Sequence, residues 1–323
     1  MKRSSRINTF KTSKVSRLLF DLRIPILIVV VSLVFSILSR SFFTLKTLTS
    51  LLSLIAAYGI IAIGQTLIIL VGDLDISVGA IASISGLLLV RLMSSSTLLA
   101  IVVCLLFGAL VGLVNGVIIS RLKVNSLIAT ISMSFLLTGI AHLISDGTIH
   151  LKNQSLVSFA NKTVASVPYI AVIYIVLTVL VQYVLKRTVL GLKLYCIGAN
   201  RVSCDFSGID VSKYELIVFV LSGFFASLGG FVYSSKLAAA SPLIGSDIPI
   251  YVITAVLLGG TTIGGGYGDV IKTFMGVLLI TLITKGLTVL NVEAYFQNMI
   301  IGIILIFLLF IGQRLIGRGR LGI

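Results

Sequence analysis

The chain has 323 residues, 58% of them hydrophobic and 11% charged, with a mean hydropathy of +1.18. Soluble domains run about 45–50% apolar and about 25% charged, so these charges are too few to clothe a water-facing globule, and an all-α polytopic membrane protein is expected. The net charge of +15 leaves two readings, a nucleic-acid surface or basic loops held on one side of a membrane, and the charge positions separate them.

A membrane span needs about 20 predominantly apolar residues. Ten charge-poor runs meet or approach this, in chain order 24–39, 47–72, 76–90, 92–120, 124–145, 163–185, 216–235, 248–268, 273–290 and 294–313. The first follows a basic tail, residues 1–23. It reads as an uncleaved helix, because its exit Ser39-Arg40-Ser41-Phe42-Phe43 lacks the small-residue pattern of a signal-peptide cleavage site. Pro25, Pro168, Pro242 and Pro249 are expected at or outside span ends, where proline does least harm. Ser212 and Glu215 form an S-x-x-E capping box ahead of run 216–235.

An even number of spans places both termini on one side, and the basic tail assigns that side to the cytoplasm. On this topology 18 of the 25 basic residues are cytoplasmic, among them Arg121, Lys123, Lys186, Arg187, Lys193, Arg201 and Lys213. That alternation reports orientation in a bilayer, so lipid and not nucleic acid is the expected partner. Two longer polar segments remain, one external at about 146–167 (Asp146, His150, Lys152, Lys162) and one cytoplasmic at about 186–215. The expected organisation is a tail over 1–23, a transmembrane domain over 24–313 and a tail over 314–323. Cys104, Cys196 and Cys204 form no CxxC pair or even framework and read as unpaired thiols.

Gly108, Gly112 and Gly116 recur every four residues, and the small residues Gly223, Ser227 and Gly230 follow at spacings of four and three. Each set suits close helix packing, within the bundle or between subunits. Gln65, Asn115 and Asn298 interrupt apolar runs. Polar groups at membrane depth face the bundle interior or a wet cavity, so each serves as an interhelical hydrogen bond, a pathway lining, or both.

Three motifs carry chemistry. In Gly72-Asp73-Leu74-Asp75-Ile76-Ser77-Val78-Gly79 two carboxylates and two glycines interrupt a long apolar stretch. This is either a broken helix shaping a transport site or a plain turn with Asp75 capping the next span. Leu258 to Asp269 is a second break, rich in glycine at Gly259, Gly260, Gly265, Gly266 and Gly268. It is no phosphate-binding P-loop, because the chain contains no Gly-Lys dipeptide. Any ATP energy must therefore come from a partner. In the third, Gly198 to Val211, Asn200 caps a short surface helix that Gly208 ends. Phe206 and Ile209 are needlessly apolar for a solvated loop and suit docking of a cytoplasmic partner. No set of residues converges as a catalytic centre or metal site, and no cofactor is expected.

In this order and spacing the motifs resemble those of the permease subunits of bacterial ABC importers for monosaccharides, the ribose/xylose/galactose type. That family has G-G-I-D-L-S-V-G after its second span, A-I-G-G-N-x-x-A-A-x-x-S-G-I in the large cytoplasmic loop and L-G-G-T-x-x-x-G-G-x-G near the eighth span. The counterparts here are Gly72 to Gly79, Cys196 to Ile209 and Leu258 to Gly268, and the likeness spans roughly 42 to 312. The resemblance implies a bacterial plasma-membrane subunit with both termini cytoplasmic, paired with a second permease copy or a paralogue. It also implies a cytosolic ABC ATPase and an extracytoplasmic substrate-binding protein as partners. Gly198, Asn200, Arg201, Cys204, Asp205, Phe206, Gly208 and Ile209 would couple to the ATPase. Gln65, Asp73, Asp75, Ser77 and Asn115 are the pathway candidates. The chain departs from the pattern at Asp73, Ala199, Cys204 and Asp205, and has Pro249-Ile250-Tyr251 where an E-L-D pattern is common. The principal rival is a secondary transporter driven by an ion gradient, for which only Asp73 and Asp75 are intramembrane carboxylates. A membrane-embedded enzyme would need an acid/base or metal cluster that the chain does not offer.

Overall fold

The computed structural model describes residues 14–93, 96–151, 161–164 and 166–319. Residues 1–13 of the basic tail, Lys152 of the polar segment and Arg320 of the C-terminal tail lie outside them. Twelve helices occur among the described residues: α1 Lys14–Leu38, α2 Leu45–Leu70, α3 Val78–Leu92, α4 Thr97–Ser120, α5 Ser126–Ile144, α6 Tyr169–Arg187, α7 Val189–Ala199, α8 Arg201–Phe206, α9 Val211–Leu237, α10 Ile248–Leu258, α11 Val270–Val289 and α12 Ala294–Gly319. Four two-residue strands, β1 Ile149–His150, β2 Thr163–Val164, β3 Val167–Pro168 and β4 Ala239–Ala240, form two antiparallel pairs, β1 with β4 and β2 with β3.

Each of the ten apolar runs contains one helix, and the additional α7 and α8 lie in the 186–215 segment. Six helices, α2, α4, α5, α6, α9 and α11, are long and apolar enough to cross a membrane, and shorter apolar helices accompany them. Side chains cap the ends where backbone donors would otherwise go unpaired. Thr44 accepts from Thr47 N, Asn125 from Leu127 N, Asp210 from Lys213 N and Asp269 from Lys272 N.

Three local expectations are corrected. The run 248–268 is helical only to Leu258, because residues 259–268 turn through Gly260, Gly265, Gly266 and Gly268 at positive φ. Pro25 lies inside α1, which begins at Lys14 within the stretch read as a tail; membrane helices tolerate proline where neighbouring groups satisfy the freed backbone. Ser212 and Glu215 make no capping box. Asp210 is the N-cap of α9, Ser212 donates to Ser120 O at 3.0 Å, and Glu215 is drawn to Arg201. Asn298, though exposed, makes an interhelical hydrogen bond of the expected kind, accepting from Tyr251 of α10 at 2.7 Å.

The core is built around α2, whose residues from Ile55 to Leu70 are almost all buried, and α9, which packs on α2, α3 and α4. The glycine rows settle how α4 and α9 meet. A Cβ on Gly108 would lie 2.3 Å from Gly223 O, and one on Gly112 would lie 2.3 Å from Phe219 O. Both rows thus serve packing within the bundle, where close backbone approach replaces a hydrophobic drive that lipid cannot supply. All three cysteines are free thiols.

The bundle has two recognisable ends. At the strand end β1 pairs with β4. At the other, the glycine end, α2 finishes and the breaks at 72 and 259–268 meet.

Candidate functional site

The three motifs, far apart in the chain, touch at the glycine end. Gly72, at φ +85°, follows the last turn of α2. Gly266 N donates to Leu70 O at 2.9 Å. A Cβ on Gly265 would lie 2.8 Å from both Gly198 Cα and Gly72 N, and one on Gly198 would lie 1.9 Å from Leu70 O. No side chain fits between these backbones, which is why all three motifs carry glycine at the junction. Around it Gly259 packs on Lys272 O, and Gly268 O accepts from the Tyr195 hydroxyl at 2.7 Å.

Between α2 and α3 the chain runs irregularly from Val71 to Ser77. Irregular backbone at membrane depth must be satisfied by protein or line a cavity. Here α5 supplies the partners: Leu74 N donates to Ser126 Oγ at 3.4 Å, and Ile76 N to Thr130 Oγ1 at 3.2 Å. The break is therefore tied into the bundle through α5.

At its centre Asp75 is fully buried. Its carboxylate accepts from Ser77 N at 2.9 Å, Ser77 Oγ at 2.6 Å and Ser222 Oγ at 3.0 Å, and Asn115 Nδ2 donates to Ser77 Oγ at 2.9 Å. Four polar side chains from the break, α4 and α9 thus form one network. Ser77 caps α3 by position, but its hydroxyl serves Asp75 rather than the helix. Gln65 is also fully buried, and neither atom of its amide meets a hydrogen-bond partner among the described residues.

Asp73 is not a stray charge. Arg201, the first residue of α8, reaches back to it at 2.5 Å, to Val71 O at 2.9 Å and to Glu215 at 3.0 Å. One guanidinium therefore ties α8, the break and the start of α9 together. Both carboxylates are buried while the Arg201 side chain is 41% exposed. Asp73, Arg201 and Glu215 border an open cleft of about 740 Å³ that also reaches Asp205 and Phe206.

The helix α8 forms as its sequence suggests. Asn200 Oδ1 accepts from Ser203 N at 3.0 Å, and Gly208 at φ +78° ends it. Val202 and Phe206, four residues apart and so on one face, are 64% and 88% exposed. Asp205 and Gly208 are exposed, Ile209 is half-buried, and Cys204 is buried against the bundle. Among the expected coupling residues, then, Gly198 and Cys204 face inward and Asp205, Phe206 and Gly208 face outward.

Two participants were missed from sequence. Ser222 is an ordinary small residue in an apolar run and gives no signal of its own. Glu215 gave a signal, but a local one that pointed to the wrong partner.

With this geometry in view, comparison with known proteins identifies the family. The family described as branched-chain amino acid transport system / permease component matches residues 47–309, most of the chain. The ribose import permease protein of Haemophilus influenzae is 32% identical over 297 residues, covering 90% of this chain and 92% of the relative. That of Escherichia coli K12 is 32% identical over 287 residues, covering 87% and 89%. The D-allose transport system permease protein of the same organism is 31% identical over 281 residues, covering 86% of each. No solved structure matches the chain significantly. The chain belongs to the branched-chain amino acid transport system / permease component family and is a multi-pass membrane permease, as its three motifs suggest.

Proposed function

We propose that the chain is the membrane subunit of an ATP-driven importer for a monosaccharide or related small polar solute, moving it by alternating access. A separate cytosolic ABC ATPase supplies the energy, and an extracytoplasmic binding protein delivers the solute. The chain works beside a second copy or a paralogue in a bacterial inner membrane, with both termini and the glycine end in the cytoplasm. The substrate class follows its relatives, which include ribose, D-allose and fructose permeases.

The observation that carries the coupling role is the linkage through Arg201. Val202 and Phe206 present an apolar face to solvent, and such a face suits a partner's groove. At the first position of the same short helix, Arg201 grips Asp73. Asp73 lies two residues from Asp75, the centre of the network that joins the break to α4 and α9. A push on α8 by a closing ATPase would therefore reach the break through one ion pair. An element with two arrangements at that break, biased by the partner, is what alternating access requires.

The rival reading, transport driven by an ion gradient, needs a relay of ionisable groups. The hydrogen-bond partners of Asp75 are two hydroxyls and a backbone N–H, which anchor a carboxylate but lead to no second titratable group.

The test is assembly. Val202→Asp and Phe206→Asp should abolish co-purification with the cognate ATPase while membrane insertion stays normal. Undiminished ATPase association would remove α8 from the coupling role.

A further inference from the structure

A cluster of aromatic and polar side chains on α2, α9, α10 and α12 takes no part in the coupling linkage. Tyr58 of α2 lies 5.5 Å, centroid to centroid, from Tyr233 of α9 and 5.8 Å from Tyr251 of α10, with the rings tilted by 35° and 30°. The Tyr58 hydroxyl donates to the Tyr233 hydroxyl at 3.4 Å, and the Tyr251 hydroxyl donates to Asn298 Oδ1 of α12 at 2.7 Å. Asp247 shares a small cavity with Tyr251 and Asn298 and is the N-cap residue of α10, exposed and without a capping hydrogen bond from its side chain.

The depth of this cluster makes it informative. Tyr58 sits near the middle of α2, about 20 Å along the helix from its first residue. The helix α10 has 11 residues and finishes at the glycine end, so Asp247 stands about 16 Å from that end, roughly half the thickness of a hydrocarbon core. The backbone agrees: a Cβ on Gly79, at the start of α3, would lie 2.2 Å from Gly245 O, just before α10, and Gly245 N donates to Ser83 Oγ at 2.9 Å. The first turns of two short helices thus meet inside the bundle. Discontinuous helices at mid-depth are where transporters build their solute sites. An exposed carboxylate, a carboxamide and phenol hydroxyls do not face hydrocarbon, so this face borders water or protein.

We infer that Tyr58, Tyr233, Tyr251, Asp247 and Asn298 form a transit site for a polyhydroxylated solute. The inference rests on the importer reading above and names where in the chain the solute is recognised. A monosaccharide has an apolar C–H face and a rim of hydroxyls. Tyrosine rings offer the matching surface with a polar handle at the edge. The carboxylate accepts hydrogen bonds only, while the carboxamide both accepts and donates. Small-molecule sites generally combine aromatic walls with a few placed polar groups in this way. The rings and Asn298 come from four helices, so the site changes shape whenever α10 or α12 moves against α2 and α9.

The experiment uses the complete importer, permease with its ATPase and binding protein, in proteoliposomes. Uptake of a panel of labelled pentoses and hexoses is measured for wild type, Tyr251→Phe, Asn298→Ala, Tyr58→Phe and, as a control on an exposed face of α6, Tyr183→Phe. Each loss of a polar contact should lower the uptake rate about fivefold and change the ranking of sugars. ATPase association, subunit stoichiometry and basal ATP hydrolysis should stay normal, and Tyr183→Phe should match wild type. Wild-type rates and ranking in all three cluster variants would overturn the site. A changed subunit stoichiometry would assign the cluster to contact with a second copy instead, and would also overturn it. If wild type takes up none of the sugars although ATP is consumed, the importer reading itself fails and the site falls with it.

Discussion

Removing the Arg201 side chain is the most revealing perturbation of the glycine end. Arg201→Ala leaves Asp73 and Glu215, with side chains 7% and 3% exposed, as neighbouring carboxylates without their shared cation. Losing one partner of a fully buried ion pair costs about 3–5 kcal/mol. Because Arg201 is 41% exposed, water screens part of that interaction, and about 2–3 kcal/mol is the expected loss. Glu215→Gln alone should cost about 1–2 kcal/mol, since a neutral amide still accepts from the guanidinium. In the double variant the repulsion and the buried charge at 215 disappear together. The combined cost should therefore fall short of the sum by about 1–2 kcal/mol. Unfolding equilibria of the four proteins in detergent measure the cycle, and solute moved per ATP in proteoliposomes measures the linkage. Strictly additive costs, or an Arg201→Ala protein with wild-type stability and wild-type solute-to-ATP ratio, would refute the argument that this guanidinium ties α8 to the break.

Gly198→Ala should sharply reduce the yield of folded protein, because its Cβ would strike Leu70 O and Gly266 N, both backbone atoms. Gly139→Ala, in α5 with nothing within 4 Å of the added carbon, should be neutral or stabilise by about 0.5–1 kcal/mol; thermal unfolding of the pair checks both. Asn115→Leu removes the donor to Ser77 Oγ and should destabilise by about 1 kcal/mol while slowing uptake, as read by thermal unfolding and by transport. Asp75→Asn should fold but slow uptake more than Asn115→Leu, because it weakens three hydrogen bonds rather than one; equal uptake rates would contradict the central place given to Asp75.

Much of this was legible in the sequence because it is local or periodic. Apolar runs announce helices, Asn200 and Gly208 announce the two ends of α8, and the glycine row 108-112-116 announces a close helix contact. What was not legible depends on residues far apart in the chain. Asp73 stood out only as a departure from the family pattern, because nothing local reveals Arg201, 128 residues away. The Ser212–Glu215 pattern fitted a capping box, but tertiary partners outcompeted it: Ser120 O took the hydroxyl and Arg201 took the carboxylate. Asn298 was expected in an interhelical hydrogen bond, but nothing local points to its partner Tyr251, 47 residues away. The meeting of Gly72, Gly198 and Gly265 was hidden for the same reason, although the shared glycine content of the three motifs was its visible trace.

Under the proposed function, the chain passes a sugar only when a separate ATPase drives it. The most direct measurement is uptake of labelled monosaccharides into proteoliposomes holding the permease, with the ATPase, ATP and loaded binding protein added or withheld and ion gradients imposed or collapsed. The account predicts uptake that requires ATP and the ATPase and that survives ionophores. Uptake by the permease alone, driven by a proton or sodium gradient and abolished by ionophores, would contradict it.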